Sequence, residues 1–126
     1  NALCAAKSLI VPLQTEFFAL EGLSQLVKTI DRVKQKLNTS LTMQGIILTM
    51  FDKRNKLCSE VEQEARKFFE NEVYKTVIPR NIRISEAPSH GIPVILYDKN
   101  CSGTKAYEKL AMEIIEQEKQ NNNFAA

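Results

Sequence analysis

The run Met43–Phe51 (Met-Gln-Gly-Ile-Ile-Leu-Thr-Met-Phe) constrains the fold more than any other stretch of this chain. Its apolar side chains are nearly continuous rather than alternating, the pattern of a strand covered on both faces. Such strands lie inside parallel sheets with helices above and below, so the run predicts an α/β fold. Its neighbours agree. Ser8–Leu13 is a short apolar strand, with Pro12 confined to its end or edge because proline lacks an N–H. From about Ala19, the residues Leu20, Leu23, Val27, Ile30, Val33 and Leu37 fall three or four apart. That spacing predicts an amphipathic helix ending near Asn38.

A second helix is expected after the polar loop Asp52–Lys56, with Leu57, Val61, Ala65 and Phe68 inward. Ser59 and Glu62 are spaced like a capping box, and Glu62 and Arg66 like an i,i+4 ion pair. Val73–Ile78 reads as the next strand. Val77–Tyr97 is then basic and punctuated by Pro79, Pro88, Gly91 and Pro93, poor as core and poor as helix. Its apolar flanks look like buried strand ends, so its chemistry should lie in what it touches. The last helix is expected from about Gly103 to Gln120, with Ala106, Leu110 and Ile114 inward and 121–126 disordered. This order is that of a doubly wound α/β domain. Three strands make a thin sheet, the chain opens at Asn1, and it has no glycine-rich loop to hold a phosphate. It therefore reads as the C-terminal part of something larger.

A chain of 126 residues suffices for one domain with a real core, and 44% apolar with 25% charged residues suits a soluble globular protein. A net charge of +2, from 17 basic and 15 acidic residues, does not announce a nucleic-acid binder, so any such role must come from local placement of Arg and Lys. Cys4, Cys58 and Cys101 are odd in number, widely spaced and accompanied by one histidine, fitting neither a disulfide scaffold nor a zinc site. A reducing, cytoplasmic setting follows as the expectation. No apolar run reaches the length of a membrane span.

Ligands of open parallel sheets gather at the C-terminal strand ends. The loops expected there bring Glu16, Asp52, Arg54, Arg80, Asn81 and Arg83 to one rim, suiting a polar or phosphorylated ligand, or simply polar loops. Arg54, beside Lys53 and Lys56, and Arg83, after Arg80, can bind phosphate backbones without reading bases, or form a solvated surface. Pro79-Arg80-Asn81 suggests a small-molecule contact, since a proline ring lies flat on a planar base and Asn81 both donates and accepts. The alternative is a rigid turn in which Asn81 bonds its own backbone. Nothing marks Glu86 as buried or paired. His90 reads as a surface residue, Cys58 as structurally indifferent, and Asp98 as orienting the turn before the last helix. One histidine without a strained nucleophile motif excludes a Ser-His-Asp arrangement.

Three ordered motifs carry a family resemblance over nearly the whole chain, from Asn1 to about Gln117. They are Val11-Pro-Leu-Gln-Thr-Glu-Phe-Phe-Ala-Leu-Glu-Gly22, Ile47-Leu-Thr-Met-Phe-Asp52, and Ile78-Pro-Arg-Asn-Ile-Arg-Ile-Ser-Glu-Ala-Pro88 with His90-Gly91. The chain resembles the C-terminal half of the ParA/Soj family of chromosome- and plasmid-partitioning ATPases, of the deviant-Walker P-loop group that includes MinD. The resemblance implies a P-loop NTPase-like three-layer sandwich, of which residues 1–120 form the C-terminal part. It further implies a cytoplasmic, nucleoid-associated ATPase using ATP and Mg2+. Such a protein dimerises around ATP, binds nonspecific DNA, and is released when a ParB-type centromere-binding partner stimulates hydrolysis.

The phosphate-binding and catalytic groups of that family lie in a half not represented here, so no catalytic residue is assigned and the 126-residue chain alone is expected not to be an enzyme. By resemblance, Met50, Pro79, Arg80 and Asn81 meet the adenine end of the nucleotide. Arg54 and Arg83 match arginines used against the DNA backbone, and Glu16 and Glu21 fall near the dimer face. The chain departs from the family in having Asn55-Lys56 where Thr-Asn is common, and Asp98-Lys99 where Asp-Pro is common. Two alternatives are a MinD-like division-site ATPase and a truncated dimerisation or binding module. The first requires a terminal amphipathic membrane helix, and here the tail after Ile115 is Glu-Gln-Glu-Lys-Gln followed by asparagines.

Overall fold

The computed structural model describes residues 1–125. In chain order the elements are α1 (Ala2–Ala5), β1 (Ser8–Gln14), α2 (Ala19–Lys36), β2 (Thr42–Thr49), α3 (Lys56–Phe69), α4 (Ile82–Glu86), α5 (Val94–Tyr97) and α6 (Ser102–Ala125). Short 3-10 turns follow α3 at Glu70–Glu72 and α4 at Ala87–His90. β1 and β2 pair in parallel, with Pro12 opposite Ile47 and a register shift between Leu9 and Ile10. The third strand expected over Val73–Ile78 does not form as a regular strand: β2 has its other edge against this segment, which joins only through isolated parallel bridges, Ile46 to Val73 and Phe51 to Pro79. The interruption has a side-chain cause. The amides of Lys75 and Thr76 donate to the Glu113 carboxylate of α6, at 2.6 and 3.1 Å. A carboxylate thus covers what would be an open sheet edge.

The sheet lies between two helical layers. On one face Val11, Leu13, Ile46 and Leu48 pack with Leu23 of α2 and Ala65 of α3. On the other, Tyr74 and Ile78 pack with Leu110 of α6, joined by Ile47, Ile84, Ala106 and Ile114. The expected inward stripe of α6 is therefore the observed one. Gly45 is required by a close approach, because a Cβ there would collide with the Tyr74 ring.

Several local expectations are corrected. The cap of α3 is Asn55, whose side chain accepts the Leu57 amide at 3.0 Å, and not Ser59 with Glu62. Glu62 instead takes the i,i+4 pair with Arg66, at 3.0 Å. The buried face of α3 runs through Cys58, Val61 and Ala65 to Phe69, leaving Phe68 68% exposed. Adjacent apolar pairs at 57/58 and 68/69 allow either phase, and packing selects one. From Asn81 onward the punctuated stretch is not irregular, because Pro88 and Pro93 open or precede helical turns, where a missing N–H costs nothing. Pro88 lies in the first turn of its 3-10 segment, Pro93 precedes α5, and Gly91 closes the turn with φ 67°. Val94–Tyr97 is consequently a helical turn with Ile95 and Leu96 exposed, not a buried strand end. α6 continues through the asparagines to Ala125 rather than stopping near Gln120.

Candidate functional site

Because the sheet segments run in parallel, their C-terminal ends open on one rim. β1 leaves into Thr15–Phe18, β2 into Met50–Asn55, and the third segment into Pro79–Asn81. A buried polar knot holds the first two together. The Thr15 amide donates to the Thr49 carbonyl at 3.1 Å, and its hydroxyl lies 3.1 Å from the Thr49 and Met50 carbonyls and 3.3 Å from Cys58 Sγ. Cys58 is thus part of the scaffold behind the rim. Met50 adopts the left-handed conformation at φ 54°, which costs a side-chain-bearing residue on the order of 1 kcal/mol. The neighbouring Phe51 amide is held on the Ile78 carbonyl at 3.1 Å, so the turn is fixed from both sides. No glycine or asparagine marks this turn in the sequence.

Past the turn, Asp52 accepts from the Arg54 amide at 2.9 Å and from its guanidinium at 3.2 Å. These hydrogen bonds, side chain first and backbone second, hold the Asp52 carboxyl below the usual aspartate range, and Arg80 adds a weaker pull. Asp52, Arg54 and Arg80 therefore share one local field. Arg54 has a side chain 91% exposed, and Arg80 forms no salt bridge among the described residues. The Arg80 amide donates to the Phe51 carbonyl at 2.9 Å, which pins Pro79-Arg80 to the end of β2. Met50 and Pro79 are half-buried beside it.

Asn81 combines the two readings made of it. Its Oδ1 caps α4 by accepting the Arg83 amide at 2.8 Å, and its Nδ2 donates to Ser102 Oγ at 2.7 Å. One amide hydrogen and one carbonyl lone pair remain for a ligand. Arg83 is tied to two carboxylates, Glu86 at 3.2 Å and Asp98 at 3.4 Å. Glu86 also accepts from the Tyr97 hydroxyl at 2.8 Å, and Tyr97 stacks on His90 with ring centroids 4.8 Å apart. This corrects the reading of Glu86 as unpaired and gives Arg83 two carboxylate partners. Both partners of Arg83 are C-terminal to it, across a helical turn or a longer loop. The Tyr97 hydrogen bond above all, aided by Arg83, keeps the Glu86 carboxyl low against the opposing effect of burial. Asp98 does orient the turn before α6, accepting the Asn100 amide at 3.1 Å.

Glu16 and Glu21 are exposed on the loop and first turn leading into α2, and no contact joins them to the arginines among the described residues. Between them lie Phe17 and Phe18, 73% and 70% exposed and packed edge to face at 4.8 Å. They border an open apolar groove of about 610 Å³ along Val11–Gln14. Sequence reasoning passed over both rings, although adjacent aromatics just ahead of a helix were the available signal. No group of three or more His, Cys, Asp or Glu able to hold a metal occurs among the described residues. No described helix is long and apolar enough to cross a membrane.

This α/β architecture, with its parallel sheet, is of the P-loop NTPase-like kind. The chain is similar to cobyrinic acid a,c-diamide synthase from Mycobacterium smegmatis, whose structure with a bound ATP analog and magnesium superposes with a TM-score of 0.67. The two are 29% identical, over 86% of this chain and 39% of that one. A family described as an AAA domain matches residues 1–43. Over all 126 residues the chain is 54% identical to the chromosome partitioning protein ParA of Caulobacter vibrioides, covering 47% of that protein. It is 50% identical over 115 residues to the chromosome-partitioning ATPase Soj of Treponema pallidum, covering 91% of this chain and 46% of that protein. The chain is a homologue of these ParA and Soj proteins and spans about half their length.

Proposed function

We propose that this chain forms part of a ParA/Soj-type partitioning ATPase that moves chromosomal or plasmid DNA. The observation that carries the reading is the 54% identity to a chromosome partitioning protein over every residue of the chain. In this reading the intact protein is cytoplasmic and nucleoid-associated. It dimerises on ATP, binds nonspecific DNA as the dimer, and hydrolyses ATP under stimulation by a ParB-type partner. The 126-residue chain alone does not hydrolyse ATP.

The residues divide by their chemistry. Met50 and Pro79 supply apolar cover for the adenine, and Arg80 and Asn81 supply hydrogen bonds, Asn81 through the capacity left after capping α4. Arg54 and Arg83 contact DNA phosphates. Glu16 and Glu21 lie near the dimer face, where the exposed Phe17 and Phe18 offer apolar area. Magnesium ligands and phosphate-binding groups are supplied by residues other than those described. When bound, the metal neutralises phosphate charge during hydrolysis.

The deciding measurement is binding to random-sequence duplex DNA by the longest natural protein containing this chain, with ATP and with ADP. Binding with ATP, absent with ADP, is the expected result. Equal binding with both nucleotides, or none with either, overturns the proposal.

A further inference from the structure

Arg83 does not stand free. Its guanidinium meets Glu86 at 3.2 Å and Asp98 at 3.4 Å, and its side chain is 50% exposed. Two carboxylates around one guanidinium leave this cluster net negative, the wrong sign for a polyanion. Glu86 is itself held in place and in its charged form by the Tyr97 hydroxyl at 2.8 Å. Tyr97 is backed by His90, stacked at an interplanar angle of 24°. Asp98 is fixed on the α5–α6 turn, where its carbonyl accepts the Thr104 hydroxyl at 2.6 Å. Arg54, in contrast, has one carboxylate partner and an almost fully exposed side chain.

We propose that Glu86 and Asp98 are positioning residues that compete with phosphate for Arg83, making its grip on DNA weak and readily reversed. The inference rests on the reading of Arg83 as a DNA contact. A phosphate that takes two guanidinium N–H groups must either displace these carboxylates or bind beside them against their charge. Either route weakens the contact, and neither applies to Arg54 to the same degree. The pair therefore divides the work: Arg54 is an open cation, and Arg83 is a cation that a built-in anion can reclaim.

The test uses the longest natural protein containing this chain, with ATP, titrated with random-sequence duplex DNA and followed by fluorescence anisotropy at fixed salt. Arg83→Ala should weaken binding and lower the log–log salt slope by about one per chain. Glu86→Gln and Asp98→Asn, each preserving shape, should each tighten binding about two- to fivefold, since exposed ion pairs of this kind are individually weak. The double variant Arg83→Ala/Glu86→Gln should bind like Arg83→Ala. Tighter binding that survives in the Arg83→Ala background would mean general repulsion and overturn the inference. So would weaker or unchanged binding by both single carboxylate variants, which would make the carboxylates an aid to Arg83. If Arg83→Ala binds normally, the DNA reading of Arg83 itself fails, a separate result from the same titration. Circular dichroism checks folding, and Asp98→Asn carries the test should Glu86→Gln not fold.

Discussion

The loop after β2 and the segment from Pro79 to Asp98 both present an arginine at the sheet's rim, and they hold it by different means. In the loop, Arg54 is paired to Asp52 two residues away, and Asn55 caps the helix that follows. Around Arg54 the fastenings are local, and the long-range ties of this loop are confined to its start, at Met50 and Phe51. In the longer segment, Asn81 reaches Ser102, Arg83 reaches Asp98, and Thr104 of α6 lies under the Val94 and Asp98 carbonyls at 3.2 and 2.6 Å. The fastenings there cross from one element to another. A locally tied arginine can change without disturbing its neighbours, whereas a segment tied to α6 shares its strain with the rest of the domain.

Breaking that difference should be easiest at Thr104, which is fully buried. Thr104→Val keeps the shape and strands the Asp98 carbonyl, while the Val94 carbonyl keeps the Asp98 amide, so urea denaturation should show a loss of about 2 kcal/mol. Next come the two caps. Asn81→Ala should cost about 1–2 kcal/mol, at the upper end because the tie to Ser102 is lost with the cap, and Asn55→Ala about 1 kcal/mol. Amide hydrogen exchange sharpens the contrast: Asn81→Ala should speed exchange in α4 and at the start of α6, while Asn55→Ala should affect only the first turn of α3. Smallest are the ion pairs. Double-mutant cycles should give about 0.5–1 kcal/mol for Arg83 with Asp98 and under about 0.5 kcal/mol for Arg54 with Asp52. The ordering fails if the local pair proves the stronger.

Acid provides a further probe. Glu86 has its carboxyl held below the ordinary glutamate value in the folded chain, first by Tyr97. The stabilisation is therefore present above the unfolded-state pKa and is lost as pH falls through the lower, folded value. Glu113 behaves alike: burial pushes it up, but the Thr76 and Lys75 amides together outweigh burial and bring it down. Glu86→Gln and Glu113→Gln should each flatten the decline of stability between about pH 5 and pH 3. A variant whose decline matches that of the parent would show that its carboxylate is not held in solution as it is in the structure.

Much of the architecture was legible. The unbroken apolar run at Met43–Phe51 announced a doubly covered strand, and the three-four spacings located α2 and the inward face of α6. The rim was legible in part. Arg54 and Arg80 could be placed there from their position after strand ends, but the partners of Arg83 could not. Asp98 comes to it through the path of α4 and α5, which short-range spacing does not encode, and Glu86, three residues on, faces it only because residues 82–86 are helical in a stretch read as poor helix. The left-handed Met50 carried no sign at all, since tertiary hydrogen bonds impose that conformation against its intrinsic preference.

The sequence by itself determined the parallel α/β class, the inward faces of α2 and α6 and the supply of cations near the strand ends. These follow from periodicity and loop position, which act over a few residues. Only the tertiary structure decided that Phe69 rather than Phe68 is packed inward, that Glu113 interrupts the third segment, and that Arg83 is shared between two carboxylates. Each of these is a choice among chemically equivalent partners, and distance through the folded chain makes it.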